Sequence, residues 1–195
     1  MPEIYRKIKN EYCIVAIMGS TFSDELDVTK AHTIRFYQET FDIVRSCNSA
    51  YSVIKPKSDE LDAELSQMVA GHERVCIEKN MWTYKFLLIP DLIICIGDST
   101  IGIESLMIGK RVIFYDVVGN SDDLYSKYSP FLVARSREDL AERVRDVIVN
   151  GRYIEEGIIS NIIRNHCYKF DGKVMERFKE HCSDLLSEEP TGSFR

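Results

Sequence analysis

Six short apolar runs punctuate the chain, each bounded by polar residues or glycine: Tyr12 to Met18, Tyr51 to Ile54, Arg74 to Ile77, Leu92 to Ile96, Arg111 to Tyr115 and Phe131 to Ala134. Runs this short and unbroken predict strands buried on both faces. Between them the apolar residues fall at helical intervals. Ala31, Ile34, Tyr37, Phe41 and Val44 recur at steps of three and four and predict an amphipathic helix between Val28 and Cys47. Ser58 is placed to cap a second helix from Asp59 to Ala70, which Gly71 ends, and a short one spans Trp82 to Leu88. Between the fourth and fifth strands lies one helix, with Ser99 and Thr100 to cap its start, Ile101, Ile103, Leu106 and Met107 on its apolar side, and Gly109 just past its end. Ser136 begins another, with Asp139 three residues on and Leu140, Val144, Val147 and Ile148 as its stripe. Further helices are expected around Ile154 to Arg164 and Val174 to Leu186. Strands alternating with helices in long crossovers predict an α/β fold: a doubly wound, Rossmann-like parallel sheet of about six strands in three αβα layers. No linker or internal repeat divides it, so residues 1–186 are read as one domain, and 187–195, with Pro190, Gly192 and Ser193, as a disordered tail.

The chemistry concentrates in the strand–turn–helix–strand unit PDLIICIGDSTIGIESLMIGKRVIFYD, from Pro90 to Asp116. Its turn, Gly97, Asp98, Ser99 and Thr100, is expected to offer backbone N–H groups and hydroxyls at the positive end of a helix dipole, which suits a phosphate. Gly97 and Gly102 remove side chains where a ligand or a neighbouring backbone approaches closely, and Glu104, one turn in, is placed to accept hydrogen bonds from sugar hydroxyls. The bland alternative is an ordinary strand-to-helix turn, which favours the same residues. Gly19 and Ser20 follow the first strand and could face the same crevice, since ligands of open parallel sheets sit beyond the carboxyl ends of the strands. Lys55 and Lys57, around Pro56, place positive charge at that edge, with solvated lysines as the default reading. Trp82 and Tyr84 read as packing residues of a short helix, with stacking on a base as the alternative. The polar loop after Asp116 has the length of one that closes over a ligand.

Composition narrows the partners. A net charge of −6 over 195 residues, with no dense Lys/Arg cluster, argues against nucleic acid. No apolar run approaches the roughly 20 residues of a membrane span, and Met1 to Asn10 is polar, so no transmembrane or signal segment is expected and the chain reads as cytoplasmic. Six cysteines without metal spacing, three of them in strands, read as reduced thiols and not as ligands, so no metal is expected.

On these residues the chain resembles the carboxyl-terminal, donor-binding domain of GT-B glycosyltransferases and their relatives, the CDP-glycerol glycerophosphotransferases and UDP-N-acetylglucosamine 2-epimerases. Ser99, Thr100, Gly102, Glu104 and Gly109 fall in order on that family's strand–turn–helix pattern, and Asp171, Gly172, Lys173, Glu176 and Arg177 resemble a DGKxxER stretch of the glycerophosphotransferase type. The resemblance implies that Gly19 and Ser20 border the cleft, that Ser99, Thr100 and Gly102 hold a donor diphosphate, and that Glu104 contacts the ribose. It implies a nucleotide-sugar or nucleotide-polyol donor, no cofactor, and departure of the diphosphate stabilised by helix N–H groups with Lys55 or Lys57. The chain departs from the pattern at Lys55, Pro56, Lys57 and Ser58, where a Lys-Pro-His-Pro sequence is common, which leaves the donor class open. With Met1 close before the first strand, only one of the family's two domains is expected, working with an acceptor domain or partner subunit.

Two other readings differ in class. The late Gly97-Asp98 pair also looks like a motif of haloacid-dehalogenase phosphatases, but these need an Asp-x-Asp pair directly after the first strand, where this chain has Gly19, Ser20 and Thr21, and Asp24 and Asp27 lie too far along. A non-catalytic sugar-nucleotide-binding module stays open, since His72, His166 and His181 are scattered and no acid–base constellation is visible.

Overall fold

The computed structural model describes every residue except 21, 23–26, 120–123, 168–170 and 188–195, and for 184–187 the backbone alone. Its centre is a six-stranded, all-parallel sheet: β1 (Cys13–Met18), β2 (Ala50–Lys55), β3 (Val75–Ile77), β4 (Leu92–Ile96), β5 (Arg111–Tyr115) and β6 (Val133–Ala134), in the order β3-β2-β1-β4-β5-β6. The chain thus winds outward from β1 in one direction, returns, and winds out in the other from β4. The doubly wound, three-layer fold expected from the pattern is the one observed, and β1 and β4 flank its switch point. Register levels the strand ends there, since Met18 lies opposite both Lys55 and Cys95.

Strand alternation divides the core. Val15 and Ile17 face one side with Phe36, Phe41, Leu65, Leu140 and Val144, while Ile14, Ala16 and Met18 face the other with Tyr5, Phe86, Leu106 and Ile162. The first layer is built by α2 (Lys30–Arg45), α3 (Asp62–Val69) and α6 (Arg137–Ile148), the second by α1 (Glu3–Glu11), α4 (Thr83–Phe86), α5 (Thr100–Met107) and α7 (Glu156–His166). A last helix, α8 (Val174–Ser187), follows. The tail expected from 187 onward lies outside the described residues except Ser187, which closes α8.

Several local expectations need correction. Helix α1 was not anticipated: its apolar anchors are Tyr5, which is buried, and Ile8, which packs against the same core, too few to show a period among charged neighbours. Ser58 does not cap; a single 3-10 turn over Asp59–Leu61 precedes α3, and the Ser58 hydroxyl donates to Glu60 Oε2 instead. Ser136 caps α6 as expected, accepting from the Asp139 N–H. The loop after β5 turns inward over its described part, where Tyr125 is buried and stacks on Phe114 with centroids 4.2 Å apart. The Asp171-Gly172-Lys173 stretch starts α8: Asp171 accepts from the Lys173 N–H and takes both carboxylate oxygens to the Arg177 guanidinium, which holds its carboxyl below the usual range.

Candidate functional site

Beyond the carboxyl ends of β1, β2 and β4 a cleft of about 300 Å³ opens, lined by Gly19, Ser20, Lys55, Pro56, Lys57, Trp82, Tyr84, Ser99, Thr100 and Glu104 among others. The switch point forces this convergence, because the β1 and β4 exits diverge to opposite layers and leave a gap between them. Six of the residues expected from the sequence, Gly19, Ser20, Lys55, Ser99, Thr100 and Glu104, are brought together here.

Gly97, Asp98 and Gly102 are not on that wall. Gly97 adopts φ 51°, the left-handed region glycine tolerates, and its N–H is taken by the Tyr115 carbonyl at 2.9 Å. Its role is to turn the chain out of the sheet. Asp98 sits close enough to Tyr125 that, after burial, its charge is the next influence pushing that phenol up to about 12. Gly102 is buried inside α5, and a Cβ there would stand 2.2 Å from the Phe114 ring; this glycine lets the helix lie down on β5. The expectation of close approach is met by a neighbouring side chain and not by a ligand surface. Gly19 is tight in the same way, with the Tyr37 hydroxyl 2.4 Å from where its Cβ would be, and its N–H donates to that hydroxyl at 3.2 Å.

The start of α5 carries a capping serine that does not cap. Ser99 occupies the capping position with extended backbone, yet its side chain makes no capping hydrogen bond. The Gly102 N–H folds back to the Ser99 carbonyl at 3.0 Å. The positive end of the helix dipole therefore borders the cleft without a built-in acceptor.

Lys55 is the unusual feature, because the strand-end lysine read as solvated is 7% exposed. Its Nζ has one hydrogen-bond acceptor among the described residues, the Lys79 carbonyl at a long 3.5 Å. Burial pushes its pKa below the ordinary lysine value, opposed by the nearby Glu78 carboxylate. A buried ammonium so thinly satisfied carries a desolvation cost that an anion in the cleft would offset. Lys57 adds a second positive charge on the wall, against the single carboxylate of Glu104.

The aromatic pair corrects the packing expectation. Trp82 is 67% and Tyr84 55% exposed, their rings meet edge to face at 5.7 Å, and both line the cleft. Only Thr83–Phe86 is helical, so the two aromatics straddle the helix start, and Phe86 is the one that faces the core. Histidines are elsewhere: His32 joins Thr29 in a capping box on α2, His72 packs edge-on against Phe41, and His166 lies between Tyr125 and Tyr128. Among the described residues no cluster of His, Cys, Asp or Glu could hold a metal ion, the six cysteines are free thiols, and no helix is long and apolar enough to cross a membrane.

Fold and site together define a doubly wound α/β domain with a cationic, aromatic-walled cleft at its switch point. No protein-family model matches the sequence, and no curated protein matches it. Among solved structures the same fold occurs in a UDP-N-acetylglucosamine 2-epimerase candidate from Listeria monocytogenes, at TM-score 0.66 and 13% identity over 100% of this chain and 50% of that one. It also occurs in MnaA of S. aureus, solved with UDP, at TM-score 0.64 and 11% identity over 100% and 52% of the two chains. A third example is the wall teichoic acid polymerase TagF, at TM-score 0.57 and 12% identity over 95% and 48%. At such identities the likeness is one of fold, and the chain spans about half the length of the structures it matches.

Proposed function

We propose that this chain is the donor-binding half of a glycosyltransferase of the GT-B type, holding a nucleotide-activated sugar or polyol by its diphosphate for transfer to an acceptor. The observation that carries the reading is Lys55: a buried ammonium with one long hydrogen bond among the described residues, on the same wall as a helix start whose serine makes no side-chain cap. Both features are stabilised by one dianionic group between them. A diphosphate fits that demand, and Trp82 and Tyr84 supply a face for the base or the sugar. Glu104, the one carboxylate on the wall, is the acceptor for sugar hydroxyls. The fold neighbours that act on or bind UDP compounds support the same class.

With a sugar donor, the acceptor oxygen bonds to the anomeric carbon as the bond from that carbon to the diphosphate oxygen breaks, and negative charge grows on the departing nucleoside diphosphate. Lys55 and the α5 start sit where that charge accumulates, which lowers the barrier electrostatically without a metal. The cleft wall holds no histidine, so the proton acceptor for the incoming hydroxyl is assigned to a second domain or subunit facing this one. The half-length match to the solved structures supports that division.

Calorimetric titration of the purified chain with UDP, CDP, GDP, dTDP and their sugars tests the reading. Binding of at least one, lost in Lys55→Met, is expected; no binding of any of them, with inorganic pyrophosphate also silent, would remove it.

A further inference from the structure

Lys55 does not stand alone in the floor of the cleft. The Glu78 N–H donates to the Ile54 carbonyl at 2.9 Å, which fixes Glu78 beside the residue preceding Lys55. The Glu78 carboxylate is in turn held on three sides. Its Oε1 accepts from the N–H groups of Asn80 at 2.9 Å and Met81 at 2.8 Å, and its Oε2 accepts the Tyr5 hydroxyl at 2.8 Å. Tyr5 comes from α1, 73 residues away in sequence, and is 4% exposed. Burial alone would push the Glu78 carboxyl up, but these donors outweigh it and hold it below its usual value. The carboxylate is therefore ionised and immobile.

Its relation to Lys55 is electrostatic and indirect. Among the described residues Lys55 has no hydrogen bond to Glu78, only the long one to the Lys79 carbonyl, although Glu78 is the charge that opposes the effect of burial on Lys55. The separation matters. A contact ion pair would occupy the ammonium hydrogens and compete with a ligand, whereas a fixed carboxylate one step back keeps the ammonium charged and leaves those hydrogens for an anion. The remaining ionisable neighbours do not duplicate it. Lys57 and Glu104 lie on the cleft wall, Cys76 and Tyr51 lie beside Tyr5, and the Lys79 ammonium is paired with Asp62.

We infer that Glu78, clamped by Tyr5 of the amino-terminal helix and by two backbone amides, is the positioning countercharge of Lys55, so that helix α1 helps set how firmly the cleft holds an anion. The inference deepens the diphosphate reading and rests on it for its ligand. Its consequence is a division of labour: Lys55 meets the anion, Glu78 favours the charged form of Lys55, and Tyr5 keeps Glu78 in place.

Titration of the Lys55 side chain in the full chain tests this, using ¹³Cε-labelled lysine, with Lys55→Met to assign the signal and inorganic pyrophosphate as the probe. In Glu78→Gln, which preserves shape and can still accept from the two amides, the Lys55 midpoint is expected to fall by about half a unit to one unit relative to wild type. Tyr5→Phe, which keeps the carboxylate but loosens it, gives a smaller fall and serves should the first variant fail to fold. Pyrophosphate affinity of Glu78→Gln at pH 6 stays within about twofold of wild type and falls away from it as the pH rises through the Lys55 midpoint, approaching the about threefold to tenfold limit that half a unit to one unit sets; a merely structural loss would weaken binding alike at every pH. A Lys55 midpoint unmoved or raised in the variants overturns the inference. A midpoint that falls as expected while pyrophosphate leaves wild-type Lys55 unshifted sinks the diphosphate reading and keeps the countercharge.

Discussion

At the scale of single residues, function shows where a side chain sits against its chemical preference. Lys55 is a cation in a nearly dry place, and Trp82 is a large apolar ring in water. Burial holds Lys55 below the ordinary value of 10.5, so between its folded value and 10.5 the unfolded chain binds more protons than the folded one. Stability therefore rises with pH through that interval, and the charge costs stability below it. Lys55→Met is expected to remove this rise, to raise the melting temperature near neutral pH, and to lower nucleoside diphosphate affinity by about tenfold or more. Urea unfolding of both proteins at pH 7 and pH 10 reads the first two. A methionine variant less stable at pH 7 would mean that the ammonium contributes to the fold. For Trp82→Ala the expected loss of stability is below about 0.5 kcal/mol, against the about 3–5 kcal/mol of a core tryptophan. Its loss of affinity for nucleoside diphosphates is expected at about 1–3 kcal/mol if a base stacks there. As the chain's one tryptophan, Trp82 also reports ligand by its own fluorescence in the wild-type protein.

Elements carry the contrast between two serines at helix starts. Ser136 accepts from the Asp139 N–H, so Ser136→Ala is expected to cost about 1 kcal/mol of stability and nothing in ligand affinity. Ser99 holds the corresponding place on α5 without capping it, so Ser99→Ala is expected to leave stability within about 0.5 kcal/mol and to weaken diphosphate binding. Denaturation and titration of the two variants side by side would show the crossed pattern, and equal stability losses would sink it. Gly102→Ala belongs to neither pattern. Its methyl would collide with Phe114 and is expected to cost about 1–3 kcal/mol through the α5–β5 contact. Helices and strands with a sustained period were legible in the chain: α2, α6 and five strands appear where apolar spacing placed them, while of the sixth only Val133–Ala134 is strand, Phe131 and Leu132 lying in a 3-10 turn. What escaped were features decided by tertiary contact. α1 depends on two apolar anchors, and Lys55 reads as a solvated strand end until the turn after β3 closes over it. Ser99 resembles any capping serine, and Gly102 resembles a phosphate-loop glycine although its neighbour is an aromatic ring.

Over the whole molecule, the site is a consequence of winding. Reversal of strand order between β1 and β4 opens the gap, and level register puts Met18, Lys55 and Cys95 side by side beneath it. The turn after β1, the end of β2, the aromatic turn after β3 and the start of α5 then face one another, though they are spread over more than eighty residues of sequence. Such a cleft combines two independent attractions, charge at the floor and stacking at the wall, and they separate by ligand. A nucleoside diphosphate at a hundred times its dissociation constant stabilises the folded state by about 2.7 kcal/mol, which for a domain of this size raises the melting temperature by about 5–10 °C. Inorganic pyrophosphate at the same concentration, having only the floor, is expected to give a smaller rise that falls with salt and vanishes in Lys55→Met. The bare nucleoside, having only the wall, is expected to give a smaller rise insensitive to salt and lost in Trp82→Ala. Thermal melts over these three ligands and three proteins test the arrangement as a whole: a nucleoside diphosphate no better than the better of its two halves would mean that floor and wall are not parts of one site.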